Sequence, residues 1–150
     1  MKIGSAMNIK AIIIGFAADF AASTIFGIAL SFFMAVVLAV KGYRDAELEK
    51  TLIALLDGTT CRILSLIVGL GFTMMGGYMA GRIARSGEYV HSAAVGLLNL
   101  LFGLFFIGMY LSWYSVTAFL LVLPAAIMGG DMARKRRLGE SVPSFPPSGE

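Results

Sequence analysis

Between Ala11 and Val40 the chain carries a single ionisable side chain, Asp19, in thirty residues. A helix needs only about 20 apolar residues to cross a hydrocarbon core of about 30 Å, so this run is long enough to span a membrane. A carboxyl group inside such a run is costly and calls for a partner or a purpose. Three further apolar segments meet the same length requirement, at roughly 61–84, 91–110 and 112–130. The first run, 11–40, is too long for the apolar region of a secretory signal and is expected to be an uncleaved anchor.

A chain with 58 % apolar residues, 14 % charged residues and a mean hydropathy of +0.84 lies outside the range of soluble globular domains. In lipid the backbone must satisfy its own hydrogen bonds, and none of the four segments alternates as a barrel strand would. The sequence therefore predicts an all-α integral membrane four-helix bundle over residues 1–138. From 139 to 150, Pro143, Pro146 and Pro147 among Ser and Gly predict a short disordered tail. Between the first two spans, Tyr43 to Asp57 places Leu48, Leu52, Leu55 and Leu56 at helical spacing, the pattern of a short amphipathic helix on the membrane surface. Tyr110, Trp113 and Tyr114 surround the turn between spans three and four, at headgroup level.

Basic residues give an orientation. With four spans the two termini share a side, which collects Lys2, Lys10, Arg82, Arg85, Arg134, Lys135, Arg136 and Arg137, against Lys41, Arg44, Lys50 and Arg62 opposite. Eight against four predicts cytoplasmic termini by the positive-inside rule. Arg82, Arg85 and the run from Arg134 to Arg137 are expected to hold lipid headgroups, and nucleic acid is not expected as a partner.

Small residues recur every four positions along two spans. In the first they are Gly15, Asp19, Ser23, Gly27, Ser31, Ala35 and Ala39, and in the second Ser65, Gly69, Thr73, Gly77 and Gly81. Such ridges let helix backbones approach where water no longer drives association, and Gly129 and Gly130 continue the theme in the fourth span. Pro124 should free the Leu120 carbonyl and bend that helix. Met75-Gly76-Gly77-Tyr78-Met79-Ala80 is echoed by Met128-Gly129-Gly130-Asp131-Met132-Ala133. The echo reads either as two helical hairpins related by a pseudo-twofold axis or as chance recurrence of residues common in spans.

Depth links the polar residues. Asp19 follows Lys10 by nine positions and Asn99 follows His91 by eight, so at about 1.5 Å per residue both lie roughly 12 to 14 Å inside the boundary. Gly76 and Gly77 fall near that level. Two readings stand open. In one, Asp19 and Asn99, with Ser23, form an intramembrane site for a proton, a cation or a small polar solute. In the other, Asp19 is protonated or hydrogen-bonded to Asn99 and Ser23 and locks the helices together. Pairing of Asp19 with Arg82 needs a tilted first helix. His91, at the mouth of the third span, is either a pH-sensing group or a plain helix-start residue.

A lone His91, a lone Cys61 and scattered carboxylates spell no triad, metal cluster or paired acid and base, so neither an enzyme nor a cofactor is expected. The methionines read as adaptable packing rather than a metal path. Two functional classes follow. The first is a structural or accessory protein that self-associates or serves as a small subunit of a larger membrane complex. The second is a small oligomeric transporter or channel built on Asp19 and Asn99.

The run Gly76-Gly77-Tyr78-Met79-Ala80-Gly81-Arg82-Ile83-Ala84, then His91 with Val95-Gly96-Leu97-Leu98, then Trp113, Pro124-Ala125-Ala126 and Gly129-Gly130 before a basic tail, resembles small uncharacterised four-helix bacterial inner-membrane proteins. The resemblance covers mainly residues 61–137. It implies a bacterial inner-membrane location and no substrate, since that family carries no established activity.

Overall fold

The computed structural model describes residues 7–107 and 113–140, so Tyr110, the turn around it and the tail beyond Glu140 lie outside the described residues. The described chain forms five helices, α1 (Ile9–Val40), α2 (Asp45–Leu56), α3 (Thr59–Ala84), α4 (Glu88–Ile107) and α5 (Trp113–Glu140), and no strand. All but α2 are long and apolar enough to cross a membrane. Large side chains such as Ile25, Phe32, Ile67, Phe105 and Leu120 stand exposed around the bundle, a surface suited to lipid rather than water. The fold is an all-α four-helix membrane bundle.

Local chemistry sets the helix ends. The Asn8 side chain accepts from the Ala11 amide at 3.3 Å and caps α1. After Val40 the chain turns through Gly42 at φ 96°, a backbone conformation that glycine adopts without strain. α3 ends on Arg85 in the left-handed region, and Gly87, also at positive φ, leads into α4. α2 buries none of its residues and follows the amphipathic pattern, two residues shorter at its start than the sequence span. α5 departs from expectation more. It runs through Pro124 and on past Gly130 to Glu140, ten residues beyond the apolar segment and into the stretch read as tail. Hydropathy ends at Gly130, but Met132, Ala133, the basic run and Leu138 are strong helix formers, and Lys135 pairs with Asp131 one turn back at 2.6 Å.

The helices run alternately up and down. At one end, called here the basic end, the start of α1, the end of α3, the start of α4 and the end of α5 come together. The core lies in that half: Ile12, Ala80 and Val95 form its centre, with Phe16 and Ala94 against it. Glycine makes it tight. A Cβ built on Gly15 would lie 2.6 Å from the Gly76 carbonyl oxygen, and one on Gly76 would lie 2.9 Å from Asp19 Cβ. α3 and α5 cross in the same way, with Gly77 against the Ala126 carbonyl and Gly129 against the Met74 carbonyl. Gly81, Gly96 and Gly130 complete the contacts, against Ala133, Ala126 and Ser92 respectively. The Ser92 hydroxyl donates to the Gly77 carbonyl at 2.7 Å and fixes α4 to α3.

The ridges do not pack along their whole length. Gly27 and Gly69, expected as packing residues, have nothing within 4 Å of the position a Cβ would take, and neither does Gly71. Beyond the level of Asp19 α1 and α3 meet through side chains, with Phe26 edge to face against Phe72 at 6.0 Å between centroids. The glycine-mediated approach of helix backbones is confined to the half nearer the basic end.

Candidate functional site

Asp19 sits where backbone-to-backbone packing of α1 and α3 gives way to open glycine positions. Gly15 and Gly76 bring α1 and α3 so close that Asp19 is only 4 % exposed, although its helix is otherwise largely open to lipid. The Asn99 amide from α4 donates to Asp19 Oδ2, and the Ser23 hydroxyl, one turn along α1, donates to Oδ1 at 3.3 Å. The buried Thr73 hydroxyl of α3 is a third hydrogen-bonding partner. One carboxyl group thus ties three helices, and the depth argument that joined Asp19, Asn99 and Gly76 is met in the structure. Arg82 is not a partner of Asp19; its guanidinium donates instead to the Tyr78 hydroxyl at 3.1 Å.

Beside this clasp opens a cavity of about 400 Å³, lined by Asp19, Ser23 and Thr24 of α1, Ser65, Gly69 and Thr73 of α3, Asn99 of α4 and Tyr114 of α5. Its wall toward the lipid is aromatic. Phe20 meets Phe102 edge to face at 5.3 Å between centroids, and Phe16 backs both. The volume suits a small ligand, and the lining combines a few convergent polar groups with apolar walls. Thr73, Ser65, Thr24 and Tyr114 were not singled out from sequence as site residues. Thr73 lies one turn from the glycine pair already placed at the depth of Asp19, which is the signal that points to it.

His91 is buried at the basic end. Its Nε2 accepts from the Asn8 backbone amide at 2.8 Å, and Nδ1 faces the Gly87 carbonyl at 2.9 Å. The Asn8 amide can only donate and the Gly87 carbonyl can only accept, so these partners assign the neutral ring with its proton on Nδ1. His91 is thus a latch between the starts of α1 and α4. Replacing it by Phe removes the acceptor of a half-buried amide, at a cost of about 1–3 kcal/mol. Hydrogen exchange at Asn8 to Ile12 is expected to quicken in His91→Phe, and unchanged exchange there would show that the latch contributes nothing.

The six basic residues expected at headgroups divide into two groups. Arg134 donates to the Tyr89 hydroxyl at 3.2 Å and lies over its ring, while Lys135 is paired with Asp131, which also accepts from Tyr89. Arg82, Arg85, Arg136 and Arg137 line a second cavity at the basic end, of about 580 Å³. Among the described residues no three His, Cys, Asp or Glu side chains come together in a way that would hold a metal ion, and Cys61 stands half-buried without a disulfide.

The class that fold and site define is a multi-pass helical membrane protein with a cavity of mixed polar and apolar lining bordered by all four spans. No family model, no curated protein and no solved structure matches the chain.

Proposed function

We propose that this chain is a small carrier or binding protein of the bacterial inner membrane, with both termini cytoplasmic, that holds a proton, a cation or a small polar solute at Asp19. The observation that carries the reading is convergence: polar side chains from all four spans line one cavity of about 400 Å³, and the buried carboxyl group of Asp19 is among them. Intramembrane carboxyls that face a cavity commonly mark ion or solute pathways. The glycine contacts press α1 against α3 on the basic side of Asp19, so release to that side calls for α1 or α4 to move, as in a carrier rather than an open pore.

A second reading has its own observation. Both carboxyl oxygens of Asp19 already accept from neighbours, which is what a structural clasp in an accessory or self-associating bundle requires. The two part at Gly69, which borders the cavity and has room for a side chain. Gly69→Leu is expected to fold normally and to fill the space beside Asp19. In proteoliposomes it should abolish proton or monovalent-cation flux under the carrier reading. Unaltered flux in the filled variant would exclude the cavity as the path, and the absence of any flux in the parent protein would favour the clasp.

The orientation follows from the basic residues. A reporter fused after Glu150 is expected in the cytoplasm and one inserted at Asp45 outside, and the reverse result would invert the bundle.

A further inference from the structure

We propose that the seam between α3 and α5 binds one anionic phospholipid, its phosphate held by Arg82, Arg85, Arg136 and Arg137 and an acyl chain lying in the apolar groove that continues from them. Among the described residues, the cavity of about 580 Å³ at the basic end is lined by these four guanidinium groups and by the carboxylate of Glu88. Arg137 Nη2 lies 2.5 Å from Glu88 Oε1. Arg82 and Arg136, from different helices, both donate to the Tyr78 hydroxyl, at 3.1 and 3.3 Å. Guanidinium groups from two helices are thus turned toward one point. Planar guanidinium forks match phosphate oxygens in pairs.

Geometry separates a lipid from a soluble phosphate. Tyr78 and Arg136 also border a second cavity, of about 410 Å³, whose other walls are Gly71, Met74, Met75 and Met132. Gly71 and Met74 in turn border a third, of about 270 Å³, that reaches Pro124 and Leu121. The three cavities share residues in sequence and run from the arginines along the apolar face of the seam. Methionines supply an adaptable wall and Gly71 leaves the groove unfilled. A basic pocket at the end of membrane helices with an apolar groove leading from it is the shape that a phospholipid fills.

Native mass spectrometry of the full chain in mild detergent, offered equal amounts of phosphatidylglycerol and phosphatidylcholine with the same chains, tests this directly. The parent protein should retain phosphatidylglycerol about tenfold better or more. Arg82→Gln with Arg136→Gln should remove that preference, whereas Arg134→Gln with Lys135→Gln, which loses the same charge, should keep it. Gly71→Leu should weaken retention of both lipids with every arginine intact. Equal losses in the two double variants would overturn the pocket in favour of diffuse charge attraction. Displacement of bound lipid by inorganic phosphate, with Gly71→Leu silent, would overturn the lipid and leave a soluble phosphate as ligand. Melting curves of all variants check that each is folded.

Discussion

Gly129→Leu is expected to prevent the bundle from closing. Its Cβ would fall on the Met74 carbonyl oxygen and within 2.7 Å of the Tyr78 amide nitrogen, both backbone atoms of α3 that no rotamer change can move. Relief requires α5 to back away from α3 along the most extensive helix contact in the molecule, which also loosens Gly77 from Ala126 and Gly130 from Ser92. Overpacking a close-packed site commonly costs about 1–3 kcal/mol, and a clash with backbone belongs at or above the upper end. Gly77→Leu meets the Ala126 carbonyl and should behave alike. Gly27→Leu is the matched control, since nothing lies near its Cβ position and the change should stay within about 0.5 kcal/mol. Detergent melting curves decide the point: a shared midpoint for Gly129→Leu and Gly27→Leu would mean that the seam is not held by backbone approach.

The same two glycine classes show how far the sequence can be read. Span number and helix type were legible because hydropathy and the demands of a lipid-facing backbone leave few alternatives. The level shared by Asp19, Asn99 and Gly76 was legible because the rise per residue is fixed. Which parts of a ridge pack was not. Gly15 and Gly27 look alike in a four-residue repeat, yet a Cβ on the first would meet the Gly76 carbonyl and one on the second would have nothing within 4 Å. The difference depends on what stands opposite each position, which a single helix does not reveal. The extension of α5 to Glu140 was missed for a related reason, because hydropathy marks where lipid ends and not where a helix does. The division of the basic run, with Arg134 and Lys135 turned to Tyr89 and Asp131 while Arg136 and Arg137 face the cavity, depends on helical phase beyond that point. His91 was legible at the mouth of the third span, as a pH-sensing group or a helix-start residue, but its bond to the Asn8 amide joins positions distant in sequence.

Asp19 carries the second large effect. Asp19→Leu removes the acceptor shared by Asn99, Ser23 and Thr73 and leaves their donors unsatisfied in a buried place, with a loss of about 1–3 kcal/mol. Asp19→Asn keeps the shape and one acceptor oxygen for the Asn99 amide, sets an NH2 group against the Ser23 hydroxyl, which can rotate to accept from it, and removes the ability to carry charge. It should therefore melt close to the parent protein while losing whatever the charge does. The pair separates the clasp, which the Leu variant breaks, from the binding site, which both variants abolish.

The most direct measurement is flux in proteoliposomes loaded with a fluorescent reporter, under imposed gradients of protons, sodium and potassium in turn, for the parent protein and Asp19→Asn at equal reconstituted amounts. The carrier reading predicts flux of at least one of these ions above that of empty liposomes, falling to the empty-liposome rate in Asp19→Asn with an unaltered melting temperature. Equal flux in the two proteins would contradict it.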